Sequence, residues 1–213
     1  MNINSEIYNF WFNKVGIDNN SNLYEKVFKK IPKNSKILDV GIGTGLYLTN
    51  CANIIKEKNI SIDGIDIDED YIKSCKNEIK KNSLGKYVKA HTQNLLTYKL
   101  EQFDYVIFIQ SYPVINNVLM KKMLKYLKNN LSKDVEIIFV HNLVENKNIL
   151  RNYMKPRLKY ITGVDFGKLE THDNFDKFLT ENNMHTIEKK CLYEQDLFAL
   201  FNCKEFMIKA KFK

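Results

Sequence analysis

Short apolar runs alternate along the chain with stretches whose apolar residues recur at helical spacing. Most runs are about four to eight residues long, which is typical of strands buried on both faces of a parallel sheet. The last run, Phe206 to Phe212, alternates apolar residues with lysines and favours an antiparallel strand in the edge region. The pattern therefore predicts an α/β fold. The predicted strands lie near 37–40, 60–68, 87–90, 103–110, 135–141, 182–191 and 206–212.

Three glycines at alternate positions follow the first predicted strand. Gly41, Gly43 and Gly45 allow the backbone to take positive φ and to pass close to a ligand without a Cβ in the way. Gly45 opens a stretch with helical spacing, so a helix N-terminus can point at bound polar groups. We expect a nucleotide-like ligand at this loop.

The spacing of the glycines separates the possible nucleotide ligands. A dinucleotide loop has Gly or Ala at its sixth position, where this chain has Leu46, and the third glycine here comes one residue early. A phosphate-binding Walker A loop needs a lysine after its last glycine, and none follows Gly45. What remains is the pattern acid-x-Gly-x-Gly-x-Gly, in which Asp39 is the acidic residue.

Two further segments agree with this loop. Asp66 stands at the carboxyl end of the second predicted strand, about twenty residues past the loop, and Phe103-Asp104-Tyr105-Val106 leads into another strand. With these three motifs in this order, the chain from about residue 36 to 213 resembles the class I S-adenosylmethionine-dependent methyltransferases. The resemblance implies a Rossmann-like, doubly wound, seven-stranded and mostly parallel sheet with an antiparallel last strand and helices on both faces. It also implies S-adenosylmethionine as methyl donor and S-adenosylhomocysteine as product.

The resemblance assigns roles in cofactor binding. Asp66 is expected to accept hydrogen bonds from both ribose hydroxyls, and Ile67 to pack on the adenine. After the third strand, family members usually have an acidic residue that binds the adenine amino group, whereas this chain has Thr92-Gln93-Asn94. Of these three residues, Asn94 is our first candidate to accept a hydrogen bond from the adenine amino group. The Leu95 amide is the candidate donor to the adenine ring. The predicted cofactor-binding residues are Asp39, Gly41, Ile42, Gly43, Gly45, Asp66, Ile67, Asn94, Leu95 and Gln110.

The candidate catalytic residues lie at or just after the carboxyl ends of the fourth and fifth predicted strands. Methyl transfer from a sulfonium is an in-line displacement, so the enzyme mainly aligns donor and acceptor and excludes water. A base is needed only for a hydroxyl or protonated amine, and His141 is the candidate because histidine titrates near neutrality. Tyr112 is the second candidate. His172 is expected to begin a helix and His185 to lie in a strand, and no metal site is expected.

Two segments lie outside the shared core. Residues 1–35 are predicted to form an N-terminal helical cap, in which the aromatic residue Trp11 could cover the cofactor or simply pack on the sheet. Residues 36–213 form the predicted methyltransferase domain of a single globular chain. An insertion at about 145–170 is expected to face the substrate, with Tyr153, Arg157 and Tyr160 as substrate contacts, and Trp11 of the cap is a fourth predicted substrate contact.

Composition narrows the choice of partners. The 213 residues carry a formal net charge of +8, but only two of the basic residues are arginines, so a nucleic-acid partner is disfavoured without being excluded. No run approaches the length of about 18 apolar residues that a membrane helix needs, and no signal peptide is evident. Four widely spaced cysteines indicate reduced thiols and a cytoplasmic location. The oligomeric state is left open.

The sequence thus predicts a methyltransferase acting on a small-molecule O- or N-acceptor, with phosphorylated and nucleotide-linked acceptors among the candidates. The first alternative is an RNA or protein methyltransferase. The second is a non-catalytic partner or scaffold protein with the same fold. The identity of the acceptor does not follow from these motifs.

Overall fold

The computed structural model describes residues 19–145, 170–196 and 202–213. The chain divides into two compact units, Met1–Ile109 and Gln110–Lys213. The described helices of the first unit are α1 (Asn19–Lys30), α2 (Leu46–Thr49), α3 (Ala52–Lys58) and α4 (Glu69–Lys81). Its described strands are β1 (Lys36–Val40), β2 (Ser61–Asp66), β3 (Val88–Thr92) and β4 (Tyr105–Ile109), and a short 3-10 helix spans Leu95–Thr97.

Strand β1 is an inner strand of the first unit. It pairs in parallel with β2 on one side and with β4 on the other, and β3 pairs in parallel with β2. Four consecutive residues of β1 are buried, as the apolar run predicted for a strand covered on both faces. Because the strands are parallel, their carboxyl ends and the loops that follow them lie at one edge of the sheet.

The helix that was predicted after Gly45 is interrupted. The structure has two short helices, α2 and α3, separated by Asn50 and Cys51. The hydroxyl of Thr49 bonds to the carbonyl of Leu46, and the amide of Cys51 bonds to the carbonyl three residues before it. These tight local bonds bend the chain and begin a new helical segment, an effect that periodicity alone does not reveal.

Helix α4 begins with a side-chain cap and buries one apolar face. Asp68 is its N-cap, and its carboxylate accepts from the amides of Asp70 and Tyr71. The apolar face Ile72, Cys75 and Ile79 is buried, and basic residues occupy the last turn, where they suit the helix dipole.

The described elements of the second unit include two longer helices and four strands. They are α5 (Asn117–Asn130), α6 (His172–Glu181), β5 (Glu136–Val144), β6 (Glu170–Thr171), β7 (Met184–Asp196) and β8 (Asn202–Phe212), with a 3-10 helix at Tyr112–Val114. His172 begins α6 and His185 lies in β7, as expected from the sequence.

Strand β8 runs antiparallel to both of its neighbours, β5 and β7, whereas β6 pairs in parallel with β5. The antiparallel strand that was predicted at 206–212 is present, and it lies beside β7, the outermost strand at this side of the sheet, rather than at the edge itself. Lys209 is largely buried and lies close to the carboxylates of Glu136 and Glu188.

The predicted fold class is confirmed. The described residues contain seven strands of five residues or more, together with the two-residue β6. Pairing is mostly parallel, and the last strand is the antiparallel one. Over the described ranges, no helix combines the length and the apolar character needed to span a bilayer.

Candidate functional site

The glycine loop begins directly after β1. Gly41, Gly43 and Gly45 all have positive φ, at 85°, 60° and 71°, which is the left-handed conformation that the alternating glycines predicted. The amides of Gly41 and Ile42 donate to the carbonyl of Ile65 in β2, at 2.8 and 3.2 Å. The loop is therefore fastened to the neighbouring strand by its backbone.

The glycines of the loop serve two different purposes. A Cβ built on Gly45 would lie 2.5 Å from Sγ of Cys75 in α4, so this glycine permits close packing of the loop on a helix. A Cβ on Gly43 would meet no atom within 4 Å. The space at Gly43 is open, and a ligand could approach the backbone there.

Asp66, the last residue of β2, is bonded to the glycine loop. One carboxylate oxygen accepts from the Gly43 amide at 3.1 Å, and the other accepts from the Asp68 amide at 3.0 Å. Burial raises the pKa of Asp66, while the backbone hydrogen bonds from Asp68 and Gly43 act in the opposite direction. Ile67, the next residue, is 76% exposed, so a large apolar side chain lies open to solvent beside this carboxylate.

Asp39 is a fully buried carboxylate within β1. Its Oδ2 accepts a 2.7 Å hydrogen bond from the hydroxyl of Tyr24 in α1, and its Oδ1 has no hydrogen-bond partner among the residues that the structure describes. Burial, opposed by the Tyr24 hydrogen bond and assisted by the charge of Asp66, raises the pKa of Asp39 to about 7. We refer to Asp39, the loop 41–45 and Asp66 as the glycine-loop region.

The segment after β3 binds its own backbone. The side-chain oxygen of Asn94 accepts from the Leu96 amide at 2.9 Å and caps the short 3-10 helix. The Gln93 side chain donates to the Thr97 hydroxyl. Leu95 has a buried side chain and stands at the first helical position, where an amide has no acceptor within the helix. The oxygen predicted to receive the adenine amino group is thus already hydrogen-bonded.

Gln110 follows β4 in an unusual conformation. Its φ is 57°, its amide donates to the Val140 carbonyl at 2.8 Å, and its side-chain nitrogen donates to Oε1 of Glu205 at 2.7 Å. Glu205 lies in β8 and is 4% exposed. The side chain of this predicted cofactor residue is therefore held by a buried carboxylate of its own unit.

The two candidate catalytic residues contact one another in a buried aromatic group. The rings of Tyr112 and His141 are 4.7 Å apart, and Phe139 and Phe175 pack edge-on against Tyr112. The Tyr112 hydroxyl donates to Oε2 of Glu170 at 3.3 Å. We refer to these five residues as the Tyr112 cluster. Burial, with the charge and hydrogen bond of Glu170, raises the pKa of Tyr112.

His141 does not lie at the carboxyl end of the fifth strand, where it was expected. Strand β5 continues to Val144, and His141 lies inside it opposite Phe206 of β8. Neither His141 nor Tyr112 exposes any surface to solvent. The Nδ1 atom of His141 is 3.1 Å from the carbonyl of Asn142.

Some predicted residues lie outside the described part of the chain. Trp11, Tyr153, Arg157 and Tyr160 belong to this group, as does most of the predicted insertion at 145–170. Over the described ranges, no group of three or more His, Cys, Asp or Glu side chains could hold a metal ion.

Three residues with polar contacts at these sites were not anticipated: Tyr24, Glu170 and Glu205. Tyr24 lies on the buried stripe of α1 with Leu23, Val27 and Phe28. A tyrosine in such a stripe usually needs a hydrogen-bond partner for its hydroxyl, so the sequence could have pointed to a buried polar contact here. The two glutamates bond to residues far away in the sequence, so no local pattern marks them.

Residues 37–134 match the family model described as a methyltransferase domain. No curated protein sequence matches the chain. Among solved structures, magnesium protoporphyrin IX methyltransferase from Synechocystis PCC 6803, with bound S-adenosylhomocysteine, has a TM-score of 0.63 and 14% identity; the match covers 99% of this chain and all of the other.

Two further structural neighbours show the range of proteins with this fold. The mitomycin 7-O-methyltransferase MmcR has a TM-score of 0.70 at 8% identity, and 91% of this chain matches 54% of that one, so the present chain spans about half its length. The [4+2]-cyclase SpnF also has a TM-score of 0.70, at 10% identity, with 90% of this chain and 80% of the other covered.

The matched domain and the fold define a methyltransferase domain of the Rossmann-like type. The resemblance found in the sequence agrees with these findings: residues 37–134 match a methyltransferase domain, and the fold is shared with S-adenosylmethionine-dependent methyltransferases, whose cofactor is S-adenosylmethionine. The described residues fit this cofactor, because Gly43 borders open space and Asp39 presents a buried oxygen that lacks a partner there.

Proposed function

We propose that this chain is a class I S-adenosylmethionine-dependent methyltransferase, that it acts on a small-molecule O- or N-acceptor, and that the glycine-loop region holds its cofactor. The observation that carries the assignment of the site is the hydrogen bond from the Gly43 amide to Asp66, which joins the loop to the acidic strand end. When bound, S-adenosylmethionine supplies an electrophilic methyl group. The remaining work of this region is to bind and to orient.

The two carboxylates of the glycine-loop region and the neighbouring Ile67 each have a role in this proposal. The Asp66 carboxylate can accept from ribose hydroxyls, because it has acceptor capacity beyond its two backbone hydrogen bonds. Ile67 offers an exposed apolar surface for the adenine ring. Asp39 offers Oδ1 to the only cationic nitrogen of the cofactor, its α-ammonium group, which would satisfy a buried acceptor.

The proposed contacts to adenine come from the turn after β3. The Leu95 amide is the donor that we favour, because it stands at the beginning of a 3-10 helix. Asn94 can contribute only if its side chain exchanges its present bond to the Leu96 amide for one to the cofactor. For Gln110, a contact likewise has to compete with Glu205.

The small-molecule acceptor is supported by neighbours of this fold whose names state small-molecule methylation, among them the mitomycin and magnesium protoporphyrin enzymes. Tyr153, Arg157, Tyr160 and Trp11 remain our predicted acceptor contacts, with phosphorylated or nucleotide-linked acceptors as candidates. The cyclase among the neighbours shows that this fold also hosts other functions, so the reaction needs a direct test. The cytoplasmic location also stays a prediction.

His141 and Tyr112 remain candidates for a role in catalysis. For a base, the expected signature is a pH profile of kcat that changes in His141→Gln while the melting temperature does not. Complete burial and the ring contacts of both residues support a second role, which is to hold the Tyr112 cluster together. Equal loss of stability and activity, with an unchanged pH profile, would assign them to packing.

The cofactor site is tested by calorimetric titration with S-adenosylmethionine and S-adenosylhomocysteine. We expect Asp66→Ala to weaken binding about 100-fold, since two hydrogen bonds to a charged acceptor are lost. Asp70→Ala, an exposed acidic residue in the first turn of α4, is the matched control and should bind as the wild type does. Failure of the wild type to bind, or unchanged binding by Asp66→Ala, would refute the proposed site.

The acceptor class is tested by transfer of a tritiated methyl group to separate pools of metabolites, RNA and protein. We expect label in the metabolite pool. Label in RNA, with strongly salt-dependent binding, would favour the first alternative. Cofactor binding without transfer to any pool would favour the partner or scaffold protein.

A further inference from the structure

Tyr24 and Asp39 form a buried polar pair that links α1 to the strand before the glycine loop. The Tyr24 side chain is 5% exposed and Asp39 is fully buried, and their hydrogen bond is 2.7 Å long. Short hydrogen bonds to a carboxylate are among the strong ones in proteins. The pair therefore fixes one oxygen of Asp39 and leaves the other without a partner among the described residues.

The described surroundings supply no positive partner for Asp39. Besides the two partners themselves, the titratable groups that act on this pair are Asp66 at the end of β2, Cys75 from α4, and Cys51, which acts on Tyr24. Burial raises the pKa of each thiol to about 12, so both stay neutral near pH 7. A buried carboxylate among neutral and acidic groups is costly unless a cation binds it.

We propose that Tyr24 is a positioning residue for the cofactor, whose hydroxyl holds the Asp39 carboxylate so that Oδ1 is presented to the α-ammonium group. This inference rests on the proposed function, in which Asp39 binds that ammonium. It adds a residue of α1, outside the glycine motif, to the determinants of cofactor affinity.

Tyr24 also acts on the charge of Asp39. Its hydrogen bond stabilises the ionised carboxylate, which lowers the pKa of Asp39 against the raising effect of burial. Tyr24→Phe removes this bond and shifts the titration of Asp39 to higher pH. A residue that only packs against β1 would not move that titration.

The test is calorimetric titration with S-adenosylhomocysteine between about pH 6 and about pH 9, around the perturbed range of Asp39. Because the amino group of the ligand titrates equally in all samples, the comparison is made between variants. We expect Tyr24→Phe to bind about tenfold more weakly than the wild type near neutral pH. Its affinity should rise as Asp39 ionises, at a higher pH than in the wild type. Tyr87→Phe, another tyrosine of the same unit, should match the wild type at every pH.

A second ligand tests whether the effect of Tyr24 depends on the α-ammonium group of the cofactor. Methylthioadenosine has the adenine, ribose and sulfur but no amino acid group. We expect its affinity to differ by less than about twofold between the wild type and Tyr24→Phe, because an effect that acts through Asp39 needs the ammonium. An equal loss for both ligands would show a general disturbance of the site and would overturn the proposal.

A double-mutant cycle identifies the route of the effect. If Tyr24 acts through Asp39, adding Tyr24→Phe to Asp39→Asn should change S-adenosylhomocysteine affinity by less than about threefold. Losses that add in the double variant would overturn the proposal. If Tyr24→Phe alone folds poorly, the comparison of Asp39→Asn with the double variant still tests the proposal, because neither of these two variants buries a carboxylate at position 39. If the wild type does not bind S-adenosylhomocysteine at all, the proposed function itself fails.

Discussion

In the glycine-loop region the Asp66 carboxylate is held by backbone amides, whereas in the Tyr112 cluster side chains from distant parts of the chain hold one another. Asp66 accepts from the amides of Gly43 and Asp68, 23 and two residues away. Tyr112 bonds to Glu170, which is 58 residues away, and packs against Phe139 and Phe175. The first arrangement leaves open space at Gly43, and the second leaves no exposed surface on Tyr112 or His141.

The difference indicates a division of labour within the chain. Backbone amides at fixed positive φ provide preorganised donors and a close approach for a ligand. Interlocked aromatic rings contribute stability, since each buries a large apolar area and adds favourable edge-to-face contacts. We therefore expect changes in the glycine-loop region to act mainly on binding and on pH dependence, and changes in the Tyr112 cluster to act mainly on folding.

The largest expected effect is on the stability of the Tyr112 cluster. Phe175→Ala should lower the free energy of unfolding by about 3 to 5 kcal/mol, because Phe175 is fully buried and contacts the rings of Tyr112, Phe139 and His141. Denaturant unfolding measures this loss. Val118→Ala, 67% exposed on α5, is the control and should change stability by less than about 0.5 kcal/mol.

A smaller loss would break the comparison. If Phe175→Ala costs no more than the control, the cluster does not contribute to folding as its packing implies, and its residues become stronger candidates for a direct role in the reaction.

The next effect is the pH dependence contributed by Asp39. Its pKa in the folded chain is about 7, above the ordinary value of 3.8. The favourable contribution of the protonated form is thus complete below about pH 3.8 and is lost as the pH rises through about 7. Asp39→Asn removes this dependence. The free energy of unfolding of Asp39→Asn minus that of the wild type should therefore increase by about 2 to 3 kcal/mol when the pH is raised from about 5 to about 8.

Urea unfolding of both proteins at the two pH values checks this effect. Asp70→Asn, an exposed carboxylate on α4, serves as control and should follow the wild type. A constant difference between Asp39→Asn and the wild type would show that Asp39 titrates normally in spite of its burial.

The sequence could predict the glycine-loop region because local rules determine it. The apolar run predicted β1, the alternating glycines predicted positive φ, and the distance to Asp66 predicted a strand end beside the loop. Asp68 as a helix N-cap follows from the same kind of short-range chemistry.

The contacts of the second unit depend on strand pairing that no local pattern determines. His141 was expected at the end of its strand, but β5 continues to Val144 alongside β8, and the histidine is buried. The lysines of β8 indicated a strand in the edge region, and no local pattern showed that β7 would pair along its outer side. Glu205 and Glu170 acquire their partners only through this tertiary arrangement, so their charges suggested solvent exposure.

The smallest expected effect compares two glycines that both have open space at the position of a Cβ. Gly43 has φ of 60°, whereas Gly85 has no such constraint. Gly43→Ala should lower the free energy of unfolding by about 1 to 2 kcal/mol, the ordinary cost of a left-handed residue, and should also weaken S-adenosylhomocysteine binding because the added methyl group enters the space at the loop. Gly85→Ala should change neither quantity appreciably. Thermal unfolding and calorimetry measure both. The loss of stability comes from backbone strain at positive φ, whereas only a loss of binding reports on the ligand. Lower stability with unchanged binding would therefore show that the open side of Gly43 does not face the cofactor.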